Sequence, residues 1–384
     1  MPRFRRITTQ GNYISQIDGL RFVAISSVVI FHIYSAFEGR SPVPVPWHMN
    51  TDTAKRGVEL FFVISGFILG VPFASTYLLS APKVDLKSYF VRRLTRLEPP
   101  YLLSLIVWAA WQMITVRRSF SDMAPHFLTS MSYLHNIFWG GFPGVVNPVA
   151  WSLEVEVQFY VLAPVLTSVF AIRNTRLRRM LMLGLMAVTG VLSQPLYRSV
   201  HFHYSIGYYL GFFLAGLLVC DLYLTRQEWK PLFWYDLIAV CGWPMVWVLR
   251  ERVGHILLPF LLAGLCLTAF RGLMCSAALS TRAITNIGGM CYSIYLFHFI
   301  VIYVVKHVTS PLHVGHNFYL YFAVQSCIII SFVLLFCGTF FILIERPCMD
   351  REWPQKARQA LRCSLRRLTQ AVPNRRMLPN AELS

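Results

Sequence analysis

His32 and His298 each lie deep inside a long apolar run, His32 within roughly Leu20 to Phe37 and His298 within about 288–308. An ionisable side chain in hydrocarbon costs a few kcal/mol on insertion scales, so such residues mark function by default. Imidazole titrates nearest to neutral pH and suits the removal of a proton from an attacking hydroxyl. Its nitrogen can also carry a group covalently, which leaves a covalent histidine relay open beside general base catalysis. His32 follows Arg21 by eleven residues, and at ~1.5 Å per helical residue that is roughly half a bilayer deep. His298 comes ten residues after Gly288 and reaches a similar depth. It either orients His32, binds a substrate, or makes a plain interhelical hydrogen bond.

A second group of residues is built for anions. Arg93 and Arg96 are three apart, and Arg92 and Arg96 four apart, just before Pro99 and Pro100. On a helix this spacing aims two guanidinium groups one way, and their forks match phosphate and diphosphate oxygens. The competing role is topogenic charge that holds the loop inside. Arg21 stands three residues after Asp18, either as a local ion pair or aimed with Arg93 and Arg96 at the same anion. Ser152, Glu156 and Tyr160 share one helix face, and Glu154 and Gln158 occupy another. Glu156 could bind acceptor hydroxyls or order an arginine or His32, against the plain reading of an interfacial charge. Glu154 and Glu59 face the same choice. Glu345 is expected to pair with one of the arginines, and Tyr295, three before His298, to share a cavity with it.

The elements that position these residues are membrane helices. The chain of 384 residues is 56% apolar, 15% aromatic and only 14% charged. Apolar runs recur near 20–37, 57–79, 101–116, 151–171, 180–194, 207–224, 232–249, 254–270, 288–308 and 319–344. Most are long enough to cross ~30 Å of hydrocarbon as helices. The fold class expected is all-α, a polytopic integral membrane bundle of about ten transmembrane helices. The net charge of +18 collects in alternate loops, which the positive-inside rule explains better than nucleic-acid binding. Both termini are then cytoplasmic.

The first run is too long, and lacks the small-residue cleavage site, for a removable signal peptide. The nine cysteines show no CxxC spacing and no external partner, so neither disulfides nor zinc is expected. Residues 1–347 read as one membrane domain, and 348–384 as a basic cytoplasmic tail. Within the tail Leu361, Leu365, Leu368 and Val372 recur at helical spacing beside Arg358, Arg362, Arg366 and Arg367. That pattern fits an interfacial helix on an anionic leaflet or a disordered basic tail. The external stretch 117–150 is apolar in part and contains Gly140, Gly141, Pro143 and Gly144. It is expected to dip into the interface or re-enter the protein. The loop 38–56, with Pro42, Pro44 and Pro46, reads as a structured external connector.

Six stretches in order resemble the membrane acyltransferase-3 family. They are Asp18-Gly19-Leu20-Arg21 with His32, Gly57 to Phe67, Phe90 to Pro99, Trp151 to Tyr160, Cys291 to His298, and Glu345-Arg346-Pro347. The chain departs from the family pattern at Glu59, Glu154, Val157 and Cys291. The resemblance implies an O-acyltransferase of sugars or other hydroxyl acceptors, with His32 as base. It implies a cytoplasmic acyl-CoA donor, acetyl-CoA first, whose phosphates meet Arg93 and Arg96. The acceptor expected is a surface or lipid-linked carbohydrate arriving from the outer side of a bacterial inner membrane. No metal and no nucleic acid are expected. The alternative is a proton-coupled transporter or flippase of a glycan or lipid intermediate, against which the lack of an internal repeat counts. A non-catalytic scaffold is a further rival, in which the arginine pair is only topogenic.

Overall fold

The computed structural model describes residues 6, 13–38, 52–141, 146–196, 198–225, 230–249, 251–312, 317–350, 352–356 and 358–359. The predicted proline connector, the turn at 142–144 and the apolar stripe of the tail lie outside the described residues.

In chain order the helices are α1 Ser15–Phe37, α2 Asp52–Leu78, α3 Leu86–Thr115, α4 Phe120–Met131, α5 His135–Trp139, α6 Trp151–Leu166, α7 Thr175–Leu196 and α8 Val200–His203. Then come α9 Ile206–Thr225, α10 Phe233–Val248, α11 Glu251–Arg271, α12 Leu273–Leu279, α13 Arg282–Gly289, α14 Cys291–Thr309, α15 Phe318–Phe340 and α16 Arg346–Cys348. Among the described residues, eight helices are long and apolar enough to cross a membrane. The shorter apolar α10 and the second half of α3 occupy the two remaining predicted spans. The chain is thus a polytopic helical membrane protein. Large side chains such as Val165, Met180 and Leu335 point outward from these helices, as lipid-facing positions do.

Two apolar cores flank α1. One gathers α2, α6, α9 and α11 around Phe62, Phe159, Phe212 and Leu262. The other gathers α3, α14 and α15 around Tyr101, Trp108, Phe297 and Ile329. Lipid offers apolar side chains as much as a neighbouring helix does, so close backbone approach carries more of the association. The crossing of α2 and α9 has that form. A Cβ on Gly66 would lie 2.2 Å from the Phe213 carbonyl oxygen, and one on Gly216 would lie 2.1 Å from that of Val63. Neither position admits any other residue without moving backbone.

α3 begins fifteen residues before the predicted span at 101–116 and runs straight through Pro99 and Pro100. Asp85 caps its first turn by accepting from the Ser88 amide at 3.0 Å. A proline inside a helix leaves the carbonyl four residues earlier without its donor. Here the Thr95 carbonyl accepts instead from Trp353 Nε1 at 3.0 Å. The break in the ladder is repaired from the chain beyond α16, and the arginines before it stay helical. The last long helix also deforms, with a π-helical turn at Phe341–Glu345 that ends on Glu345.

The stretch 117–150 re-enters the protein. Ser119 caps α4 through the Asp122 amide at 3.1 Å. Beyond it, Tyr101 of α3 donates to the Ser130 carbonyl at 3.0 Å. Tyr133, held at a left-handed φ of 57°, stacks on Tyr101 and donates to the Glu98 carboxylate. Asn147 donates to the Leu296 carbonyl at 3.3 Å, tying the far end of the stretch to α14.

Candidate active site

Between the two cores lies a cavity bounded by α1, α2, α3, α6, α14 and the π-turn, with an empty volume of about 930 Å³ including the water at its mouth. Arg6, Arg21, Arg93 and Arg96 all line it. α3 supplies Arg93 and Arg96 from one face because its helix begins early and survives the prolines. The Arg93 guanidinium carbon sits 5.6 Å from the ring centroids of both Tyr89 and Tyr160, within cation–π range. Neither Arg93 nor Arg96 forms an ion pair with a carboxylate among the described residues. The Asp18 to Arg21 pair forms at 2.6 Å, and Arg6 approaches the same oxygen at 3.4 Å. Arg21 therefore serves both predicted ends at once, paired below and lining the cavity.

The shared face of α6 is as the spacing predicts. Ser152, Glu156 and Tyr160 all line the cavity. Glu156 Oε1 accepts from Ser65 Oγ at 2.6 Å and from Tyr160 OH at 2.7 Å. This puts Glu156 among the arginines and their tyrosines rather than beside the histidines. On the other face Gln158 accepts from the Ile206 amide at 2.9 Å. Glu154, fully buried, accepts from the Asn136 amide at 2.7 Å and so fixes the start of α5.

Two further carboxylates are internal rather than interfacial. Glu59 is buried and takes both oxygens to Arg56 Nη1 at 2.9 and 3.2 Å, while Arg56 Nη2 donates to the Leu249 carbonyl at 2.7 Å. Glu345 lines the cavity, yet its hydrogen bonds are to Ser293, from the amide at 2.9 Å and the hydroxyl at 2.5 Å. The arginine partner expected for it is replaced by the open first turn of α14, whose amides lack helical acceptors.

The two histidines come together from α1 and α14, with ring centroids 5.2 Å apart and planes at 45°. Phe299 and Phe31 present their rings edge-on to His32 at 5.0 and 5.5 Å. Neither histidine lines the cavity. Tyr295, one turn before His298 on α14, does line it, so the expectation that the pair shares a wall fails. His298 turns away because its Nδ1 bonds back to its own helix, at 2.8 Å to Ile294 O and 2.9 Å to Tyr295 O. The Tyr295 hydroxyl meets Ser152 Oγ at 3.1 Å and also donates to the Val149 carbonyl. Both residues of this contact line the cavity, and Tyr295 is one turn before His298 on α14. Spacing places Tyr160 on the Ser152–Glu156 face but gives it no role, and Ser65 carries no signal in the sequence beyond its place in the Gly57 to Phe67 stretch.

The arrangement is a cationic chamber with an adjoining imidazole pair. It can hold a phosphorylated group at one end and move a proton at the other.

An acyltransferase domain profile, that of acyltransferase-3, matches residues 14–344. The O-acetyltransferase OatA of Staphylococcus aureus is 24% identical over 327 residues, covering 77% of this chain and 51% of the relative. The peptidoglycan O-acetyltransferase OatA of Listeria monocytogenes is 26% identical over 199 residues, covering 48% of this chain and 29% of the relative. The chain thus spans about half the length, or less, of these curated relatives. No solved structure gives a significant match.

Proposed function

Because this chain belongs to the acyltransferase-3 family, we propose that it transfers an acetyl group from cytoplasmic acetyl-CoA to a hydroxyl of a surface carbohydrate. The observation that carries this reading is the cavity with four arginines, two of them without carboxylate partners among the described residues, together with a histidine pair on two of the helices that bound it. Arg93, Arg96 and Arg21 hold the donor's phosphates, for which guanidinium forks are matched in shape and charge. The thioester extends past Glu156 and Tyr160 toward the Ser152–Tyr295 contact, which opens to let it meet His32.

His32 takes the proton of the acceptor hydroxyl as its oxygen attacks the thioester carbonyl. The tetrahedral intermediate collapses with loss of the C–S bond, and the proton leaves on the CoA sulfur. Glu156 orders the Ser65 and Tyr160 hydroxyls along the path. The Listeria relative is named for peptidoglycan, so fragments of that glycan are the first acceptors to offer.

The test is thiol release from acetyl-CoA by purified protein in lipid, with CoA affinity measured alongside. His32→Ala is expected to keep its CoA affinity and lose about 10²- to 10⁴-fold in turnover, the usual worth of a positioned base. Arg93→Ala with Arg96→Ala is expected to weaken CoA binding about 100-fold or more, since each of the two charge-assisted contacts contributes about 1.5–3 kcal/mol. Wild-type protein that neither binds nor consumes acetyl-CoA or longer acyl-CoA overturns the reading.

A further inference from the structure

The Nδ1 atom of His298 lies 2.8 Å from Ile294 O and 2.9 Å from Tyr295 O. Carbonyl oxygens only accept, so Nδ1 carries the hydrogen and Nε2 is left with a lone pair. That Nε2 is buried and has no hydrogen-bond partner, in a side chain with no exposed surface. A buried acceptor left unmet is rare and costly. The ring of His32 is the polar group beside it, and its nitrogens make no hydrogen bond to any described residue. The tilted rings do not bond to each other in this structure. Each imidazole nitrogen sits about 1.2 Å from its centroid, so turning the rings until two nitrogens face each other across 5.2 Å would leave about 2.8 Å for an N–H···N bond.

We propose that His298 is the positioning residue for His32: locked in one tautomer by its own helix, it accepts from one His32 nitrogen and leaves the other free to face the acceptor hydroxyl. The inference rests on His32 as base and assigns its partner. A ring that can flip presents N–H or lone pair to the substrate in turn. An acceptor fixed on one side removes that choice, as the carboxylate does in hydrolase triads. During transfer the acceptor proton goes to the free His32 nitrogen, and the opposite N–H keeps its bond to His298 Nε2. The new C–O bond forms, the C–S bond breaks, and the proton departs with the thiol. Phe31 and Phe299, edge-on to His32, confine its ring without offering a competing acceptor.

The test uses the full chain in lipid nanodiscs, with thiol release and CoA affinity read for His298→Gln, His298→Asn, His298→Phe, His32→Ala and the double variant His32→Ala/His298→Phe. Glutamine reaches the position of Nε2 with its amide oxygen, whereas asparagine reaches only that of Nδ1. Phenylalanine and asparagine at 298 are expected to lower kcat about 30-fold or more while CoA affinity stays within about twofold. Glutamine is expected to return kcat to within about fivefold of wild type. Residues acting as one unit are not additive, so adding His298→Phe to His32→Ala should cost no more than about twofold. Asparagine matching glutamine, phenylalanine retaining kcat, or losses that multiply in the double variant would overturn the proposal while leaving His32 as base. Full turnover by His32→Ala would instead remove the base itself, and this proposal with it. Should the phenylalanine variant fail to fold, the glutamine and asparagine pair decides.

Discussion

Glu59 and Arg56 show how much a single position depends on what it touches. From spacing alone Glu59 reads equally as a charge at the membrane surface. In the structure both partners are buried and bound to each other, with Arg56 also holding the Leu249 carbonyl. Removing one partner of such a pair leaves an uncompensated charge and costs about 3–5 kcal/mol, whereas an apolar replacement of both can be nearly neutral. Arg56→Ala should therefore lower the thermal midpoint far more than Arg56→Met combined with Glu59→Leu, read by melting in detergent. The arginine pair, the α6 face and the Asp18–Arg21 bond were legible because helical spacing fixes which side chains share a face. Spacing says nothing of which face meets which. That is why Glu156 joins the arginines, Glu345 joins Ser293 and Glu154 holds α5, none of which the chain's pattern declares.

At the scale of elements, hydropathy located the ten spans within a few residues except at α3. There the apolar signal starts only at Tyr101, while the helix starts at Leu86 and carries charged residues through its first half. The prolines mark a helix end by ordinary rules, yet the helix continues, with a tertiary donor, Trp353, meeting the carbonyl that Pro99 leaves without its amide. The glycine crossing gives a second expectation. Gly66→Ala should destabilise by about 1–3 kcal/mol or more, as overpacking does, with the loss seen in detergent melting and not matched by Gly184→Ala, where an added Cβ meets nothing within 4 Å. The α4–α5 hairpin carries a pH dependence of its own. His126 Nδ1 and His135 Nε2 share a hydrogen bond at 3.0 Å. Burial first, then the charges of His126 and Arg118, pull His135 from 6.5 down to about 4. The folded hairpin therefore keeps this ring neutral where the unfolded chain binds a proton. Its stability should fall as pH drops from about 6.5 to about 4 and level off below that, seen as faster amide exchange over 120–139.

At the scale of the whole molecule, the positive-inside rule predicts that the arginines of the cavity lie toward the cytoplasm, and labelling tests this. In a cysteine-free background, Lys87→Cys should react in intact cells only with a membrane-permeant thiol reagent, and Arg118→Cys with an impermeant one as well. The reverse labelling would invert the donor and acceptor sides. That the histidine pair lies off the cavity lining was beyond reach of the chain's pattern, because α1 and α14 serve both, with Arg21 and Tyr295 at the cavity and His32 and His298 in the pair. This separation also bears on the membrane itself. A polar chamber open at one face and continued to the other would short-circuit the ion gradients on which a cell depends. The Ser152–Tyr295 contact at the cavity wall is expected to keep the bilayer electrically insulated between turnovers. Planar bilayers holding the protein should stay non-conducting, and Tyr295→Ala should be the change that makes them leak.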